Sequence, residues 1–188
     1  MGEEEREVRT GCLASFSYFF GVAVFGFLEL PEPWELRMVP EPPECDLLGD
    51  WSSNKEFRWV LKGRLRAFLV NEEAGRLYML RVEARDFTDV SKAEERAARE
   101  LGKLRASKGS EVLEEGDIEV SGHRARYLVL AARKKRLIGR PRTIYKLVVP
   151  FFCDRTGRLL WVEVVGGPYL LEDLGALLPI ISSFSCHE

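Results

Sequence analysis

The stretch LRAFLVNEEAGRLYMLRVEARDFTDVSKAEERAARELGKLRAS, residues 65–107, changes its apolar period halfway along. In Leu65–Val70 and Leu77–Ala84, apolar and polar residues alternate, which is typical of strands with one buried face. Asn71–Gly75 lies between them and has the composition of a tight turn. In the second half the apolar residues recur every three or four positions, which predicts a helix over 91–107. A hairpin followed by a helix indicates an α+β fold.

The predicted helix has a start signal, a narrow apolar face and a stop signal. Ser91–Glu94 has the capping-box pattern, in which the serine hydroxyl and the glutamate side chain each accept a backbone N–H. Gly109 supplies a left-handed stop. We expect Leu101 and Leu104 to be buried on the same face as Ala97, so that this narrow face packs on a sheet.

Strand patterns continue on both sides of this stretch. A strand over Phe57–Leu61 and the turn Lys62-Gly63 would complete a first meander. Downstream strands are predicted over Ile118–Val120, Ala125–Ala132, Thr143–Phe152 and Leu159–Val165. The apolar residues after Pro168 predict a second helix of about 15 residues, broken or kinked at Pro179. Runs of strands with short turns favour antiparallel pairing, so the fold class is α+β, a mainly antiparallel sheet of two meanders with helices packed on it.

The N-terminal part is acidic, then apolar, then rich in proline. Residues 1–10 are expected to be a flexible acidic segment, and 11–188 a single α+β domain. The uncharged run Gly11–Leu28 is long enough to span a bilayer, but it contains serines and glycines, follows an acidic segment and is not ended by basic residues. We therefore predict strand and core over 11–30, and membrane contact is disfavoured. Five prolines predict an irregular surface segment over 31–50.

Composition excludes several classes of protein. With 188 residues, 46% of them hydrophobic, the chain is neither disordered nor a small disulfide scaffold. It has no Gln, two Asn and 31% charged residues, which suggests selection at high temperature and a thermophile source. The four cysteines form no CxxC pair, so the sequence signals neither a zinc ribbon nor a thioredoxin-like site. We expect a cytoplasmic protein.

Three short motifs resemble those of one family. Gly26–Trp34 resembles the opening of PsbP-like proteins, a strand followed by Pro-x-x-Trp. Val120–Ala125 resembles their v-x-G-x-x-A strand pair, and Ile180–Phe184 resembles their closing helix. The resemblance covers about residues 20–185 and implies the α/β/α sandwich of the PsbP-like and Mog-type superfamily. It also implies a non-enzymatic accessory or binding role, and it carries no catalytic residues.

One candidate site combines cysteine and histidine. A hairpin over 124–152 with its turn near Ile138-Gly139 would place His123 opposite Cys153 to Thr156. The second helix, returning across the sheet, would bring Cys186 and His187 to the same edge. Two thiolates and two imidazoles suit tetrahedral zinc, whereas a Cys153–Cys186 disulfide or two inert buried thiols are the alternatives. Of the two specific hypotheses, we prefer the disulfide. Cys12 and Cys45 flank the first strand and could pair as well.

A second candidate site is a basic hairpin. The chain is electrically dipolar, because residues 1–50 carry a net charge of -8 and residues 101–150 a net charge of +7. At the hairpin tip, Gly139–Arg142 resembles the core of an AT-hook. A nucleic-acid contact by the basic hairpin 124–146 is therefore an alternative function. Its candidate residues are Arg133, Lys134, Lys135, Arg136, Arg140 and Arg142.

No nucleophile and base can be assembled from the sequence, so no catalytic residue is predicted and an enzyme is not expected. The leading hypothesis is a non-enzymatic binding or accessory protein of PsbP-like fold that acts through surface contacts with an unknown protein partner. The alternatives are a nucleic-acid-contacting protein and a small metal-binding protein, with zinc as its cofactor at the C-terminal Cys/His site.

Overall fold

The computed structural model describes residues 8–17, 21–38, 64–134 and 142–186. Within these ranges the chain forms nine strands, two α-helices and one short 3-10 helix. The strands are β1 (Val8–Ser17), β2 (Gly21–Pro31), β3 (Trp34–Met38), β4 (Arg64–Asn71), β5 (Arg76–Asp86), β6 (Ser110–Val120), β7 (His123–Lys134), β8 (Arg142–Cys153) and β9 (Arg158–Gly166). The helices are α1 (Val90–Arg105), the 3-10 helix Pro168–Leu170 and α2 (Leu174–Ser182).

Seven strands form one sheet in the order β3-β4-β5-β9-β8-β7-β6, and every pair of neighbours is antiparallel. The meander β3–β5 precedes α1 in the chain, and the meander β6–β9 follows it. The two meanders join at the centre, where Met79 of β5 pairs with Val165 of β9. The predicted α+β class, a mainly antiparallel sheet of two meanders with helices packed on it, is confirmed.

Helix α1 covers one face of the sheet. Leu101 packs with Leu128, Leu130 and Val148, and all four are buried. Alternation along the strands explains this, because even-numbered residues of β7 and β8 point to the same face there. Leu101 is buried as predicted, whereas Leu104 is only half-buried at the rim of this cluster.

The opposite face carries the larger core, under α2 and a separate two-stranded sheet formed by β1 and β2. Leu13 and Leu28 of this hairpin and Leu177 and Ile181 of α2 are fully buried. Strand β8 is covered on both faces, which explains its continuous apolar run Leu147–Phe151.

Helix α1 begins differently from the capping-box prediction. Its N-cap is Asp89, whose carboxylate accepts a hydrogen bond from the Ser91 backbone N–H at 2.9 Å. Because an aspartate caps as well as a serine does, the helix starts earlier, at Val90. It ends with Ala106 as the C-cap, and Gly109 adopts its positive φ of 83° in the turn that follows.

Two predictions for the N-terminal part were wrong. Strand β1 begins at Val8, so residues 8–10 are paired with β2 rather than flexible. Trp34–Met38 is strand β3 rather than irregular, because no proline lies between Pro33 and Pro40 and the residues from Trp34 onward alternate. Trp34 is consequently buried in the core while Arg37 is exposed.

Residues 11–30 lie in strands β1 and β2 except for three residues between them that are not described, as predicted for a strand rather than a spanning helix. In the described part of the chain, neither helix has the length and apolar character that crossing a bilayer requires. The predictions for Phe57–Leu61, Lys62-Gly63 and the tip of the basic hairpin lie outside the described residues.

The second helix is shorter than predicted and is interrupted elsewhere. The chain leaves the 3-10 helix Pro168–Leu170, turns, and then forms the nine-residue α2. Pro179 lies inside α2 without breaking it. Both Pro179 and Gly175, whose carbonyl would accept the missing N–H, are exposed, so water can replace the lost donor.

Candidate metal centre

Three side chains from distant parts of the sequence meet at one end of the sandwich. They are His123 at the start of β7, Cys153 at the end of β8 and Cys186 in the segment after α2. The nitrogen and sulfur atoms that could bind a metal all lie within 4.8 Å of one another. The fourth residue expected here, His187, lies outside the described residues.

Strand register brings His123 and Cys153 together. Leu128 pairs with Val148, and Lys134 pairs with Arg142. The same register, continued toward the strand ends, places position 123 opposite position 153, as the sequence predicts.

A tight turn starts β7 at the right residue. Val120 pairs directly with His123, so only Ser121 and Gly122 form the connection. Both have positive φ, 53° and 74°, as a two-residue hairpin of the type I′ class requires. Glycine accepts this backbone conformation without steric cost, and the small Ser121 tolerates it.

The segment after α2 is held against β2. Phe27 and Ser185 exchange two backbone hydrogen bonds, of 2.9 and 2.8 Å, as an isolated antiparallel bridge. The hydroxyl of Ser183 accepts a hydrogen bond from the Glu29 N–H at 2.8 Å. These contacts fix the path of the backbone that carries the second cysteine.

Ser121 connects this segment to the β6–β7 turn. Its hydroxyl donates to the carbonyl of Phe184 and accepts from the backbone N–H of Cys186 at 3.3 Å. A serine in the turn therefore positions Cys186 directly beside the strand pair that holds the other two residues.

The surroundings of the cluster are apolar on one side. Cys153 is fully buried in the main core. The ring of His123 stacks on Phe151 with centroids 6.3 Å apart, and Phe151 meets Phe184 edge-on at 5.8 Å. Such walls exclude water and strengthen electrostatic interactions inside the site.

The two thiols differ in acidity. Burial alone raises the pKa of Cys153, but the polar groups of Thr156, Cys186 and Arg155 around its sulfur bring the pKa below the ordinary value. Burial, followed by its hydrogen bond to Cys153 and the nearby negative charge of that sulfur, raises the pKa of Cys186. Cys153 is thus the sulfur favoured to carry negative charge, with Cys186 as its thiol donor.

Asp154 faces the imidazole from the β8–β9 turn. Its Oδ1 lies 3.8 Å from Nδ1 of His123, whose Nε2 is buried. No sequence pattern assigns Asp154, Thr156 or Ser121 to the site. The sequence indicates only that Asp154–Gly157 and Ser121-Gly122 form turns. The composition of a turn does not show which site the turn lies beside.

A groove of about 570 Å³ lies between α1 and the ends of β7 and β8, and its walls include His123 and Asp154. Ala97 and Ala98 line the helix side of this groove.

The disulfide preferred from the sequence is not formed in this structure. Cys153 and Cys186 are separate thiols that share a hydrogen bond. Cys12 is exposed on β1, and its proposed partner Cys45 lies outside the described residues.

The structure describes the basic hairpin only at its base. Arg133 and Arg142 are exposed near the ends of β7 and β8, and Lys134 pairs with Arg142 in the backbone register. Lys135, Arg136 and Arg140 lie outside the described residues. The nucleic-acid contact therefore stays a prediction.

Comparisons with known proteins give likenesses of structure only. No family model matches the chain, and no curated protein matches it. A crystal structure of a protein of unknown function from Pseudomonas aeruginosa, for which a regulatory role has been suggested, is similar at a TM-score of 0.49 and 11% identity, covering 94% of this chain and 98% of that one. The solution structure of PsbP from the cyanobacterium Synechocystis sp. PCC 6803 is similar at a TM-score of 0.49 and 12% identity, covering 100% and 98%. The latter belongs to the family that the sequence motifs resemble.

Proposed function

We propose that this chain is a non-enzymatic binding protein and that it binds a zinc ion through His123, Cys153 and Cys186. The observation that carries the proposal is that one imidazole and two thiol side chains converge within 4.8 Å from three separate parts of the fold. Thiolate and imidazole are the donors that zinc prefers in proteins, so this donor set favours zinc.

The distances suit a tetrahedral site after a small adjustment. With Zn–S of about 2.3 Å and Zn–N of about 2.0–2.1 Å, neighbouring donor atoms on zinc are about 3.5–3.8 Å apart. The observed limit of 4.8 Å therefore requires the donor atoms to approach one another by at most about 1.3 Å. Cys186 can make this approach, because it lies outside regular secondary structure.

The remaining atoms of the site have roles in this proposal. Asp154 faces Nδ1 of His123, so the buried Nε2 is the nitrogen left for the metal. A carboxylate on the far nitrogen orients the ring and increases its basicity. His187, next in the chain to Cys186, or a water molecule would be the fourth ligand.

Zinc titration of the reduced, metal-stripped protein tests the proposal. A chromophoric chelator of known affinity competes for the metal, and the full chain should take up one equivalent. The variants Cys153→Ser and Cys186→Ser should each weaken binding by more than a hundredfold, because each removes a thiolate ligand. Cobalt substitution provides a second readout, since a thiolate-to-cobalt charge-transfer band should appear and should weaken with each serine variant.

The matched control is Cys12→Ser, which removes an exposed cysteine on β1 far along the chain from the cluster. It should bind zinc as the unmodified chain does. The proposal is wrong if the unmodified chain takes up no more zinc than the Cys153→Ser/Cys186→Ser double variant, or if Cys12→Ser reduces uptake as much as the other two.

A further inference from the structure

The two cysteine sulfurs of the cluster are close enough for chemistry with each other as well as with a metal. Their sulfur atoms lie within 4.8 Å of each other. A disulfide needs the sulfurs to approach to about 2.05 Å. The Cys153 side chain is fixed at the end of a central strand, so Cys186 has to move.

The segment that carries Cys186 can make this movement. The β-bridge between Phe27 and Ser185 ends one residue before Cys186. The Cys186 N–H donates to the Ser121 hydroxyl at 3.3 Å, which is long for such a bond. A shift of a few ångströms at Cys186 therefore leaves the strand register unchanged.

We propose that Cys153 and Cys186 form a redox-active dithiol, which peroxide converts to an intramolecular disulfide, and that this oxidation releases the metal. The metal-release part rests on the proposed function, whereas disulfide formation does not. The two states exclude each other, because a sulfur bonded to another sulfur no longer offers a thiolate to zinc.

The oxidant is a small peroxide, because Cys153 is fully buried and a bulky disulfide could not reach it. The sulfur of Cys153, as thiolate, attacks one oxygen of hydrogen peroxide, the O–O bond breaks, and the hydroxide released takes up a proton to leave as water. The resulting sulfenic acid is attacked by the sulfur of Cys186, whose proton joins the departing hydroxyl as a second water. The two thiols lose two electrons in total, and the peroxide gains them.

His123 completes the arrangement. The imidazole lies within the same 4.8 Å cluster and is placed to take the proton of Cys186 as its sulfur attacks and to pass it to the departing hydroxyl. Cys186 is partly exposed, so a molecule as small as peroxide reaches the pair of sulfurs from that side.

The first arm of the test uses the metal-free, full-length Cys12→Ser/Cys45→Ser variant, in which only the two cysteines of the cluster remain. One equivalent of hydrogen peroxide should remove both reactive thiols and lower the mass by two hydrogen atoms. A protease digest should then yield the peptide pair joined through Cys153 and Cys186. The folded chain should oxidise at least about tenfold faster than the same chain in urea, since the fold holds the sulfurs together.

The second arm repeats the reaction with zinc bound. Zinc should slow disulfide formation at least about tenfold, and each disulfide formed should release one zinc ion to a chromophoric chelator. If the chain binds no zinc, this arm shows no protection, while the first arm still gives the disulfide. Failure of the proposed function is thus distinguishable from failure of the dithiol.

The dithiol proposal is overturned if the folded chain accumulates sulfinic acid or intermolecular dimers instead of the internal disulfide, or if it oxidises no faster than in urea. The Cys186→Ser variant in the same background is the matched control. It should stop at the sulfenic acid on Cys153 without forming a monomeric disulfide.

Discussion

Gly26 of β2 lies where the segment after α2 crosses the hairpin, and it leaves no room for a side chain. A Cβ atom at this position would lie 2.6 Å from the Phe184 ring and 2.6 Å from the carbonyl oxygen of Ser185. Gly26→Ala should therefore push this segment away and lower the free energy of unfolding by about 1–3 kcal/mol, the usual cost of overpacking. Urea denaturation measures the change.

Gly102→Ala is the matched control for this substitution. Gly102 lies in α1, and a Cβ atom there would meet nothing within 4 Å. Alanine should stabilise the helix by up to about 1 kcal/mol. Equal effects of the two substitutions would show that the contact between Gly26 and Phe184 does not matter for stability.

Tyr78 combines a buried ring with one hydrogen bond from its hydroxyl group, and we expect that hydrogen bond to contribute to stability. Its hydroxyl donates to Asp173 at 2.6 Å, while its ring is buried against Trp34 with centroids 6.0 Å apart. Tyr78→Phe keeps the ring and removes the donor, leaving the Asp173 carboxylate with fewer partners. The loss should be about 1–3 kcal/mol in urea denaturation, and no loss would contradict this role.

The same contact has a defined dependence on pH. Burial, together with the hydrogen bond to Asp173, raises the pKa of Tyr78 above its ordinary value of 10.0. Ionisation is thus harder in the folded chain than in the unfolded one. The stabilisation by Tyr78 is therefore fully present below pH 10 and is lost as the pH rises above it. The stability difference between the unmodified chain and Tyr78→Phe should shrink over that range.

At the scale of elements, α1 depends on one leucine. Leu101 reaches the buried cluster formed by Leu128, Leu130 and Val148. Leu101→Ala should destabilise the protein by about 2–5 kcal/mol, since it leaves a cavity between helix and sheet. Leu104→Ala is the comparison. Because Leu104 is half-buried, its truncation should cost less, and the opposite order of the two effects would contradict the packing described here.

Sequence periodicity correctly predicts the strands and the helix that pack a single face on one core. The alternation in β4, β5 and β7 and the helical period of α1 each come from a single face packing on one core. Strand β3 was missed, because the prolines around it outweighed the short alternation that starts at Trp34. The N-cap was misplaced by two residues, because Asp89 and Ser91 are both good caps and the sequence does not rank them.

In the candidate site, too, the sequence predicts one contact and does not specify the other. Hairpin register alone places His123 opposite Cys153, because antiparallel pairing has fixed arithmetic. The approach of Cys186 depends on how the segment after α2 packs on β2 through Phe27 and Ser185, which is a tertiary contact. Local sequence patterns do not specify such contacts. The prediction that Cys186 lies at this edge of the sheet rests on the length of the second helix, and the observed helix is shorter than that length.

At the scale of the whole molecule, the cluster joins the large sheet to the segment that holds the hairpin β1–β2. Zinc binding should therefore slow amide hydrogen exchange at Phe27 and Ser185, because a metal bond fixes Cys186 next to their mutual bridge. Exchange in β4, at the other end of the sheet order, is the internal control. Uniform slowing along the whole chain, or none at Phe27, would contradict this coupling.

The pairing of β5 with β9 also bears on how the protein is made. On the ribosome β5 emerges well before β9, its partner at the centre of the sheet, because the residues from α1 to β8 are synthesised between them. Until Val165 has left the exit tunnel, β5 has an unsatisfied backbone edge and an apolar face. The nascent chain is thus exposed to self-association for the whole interval, and pairing over such a separation is slow to form. A chaperone that shields β5 at that stage would increase the yield of folded protein more than one acting after release.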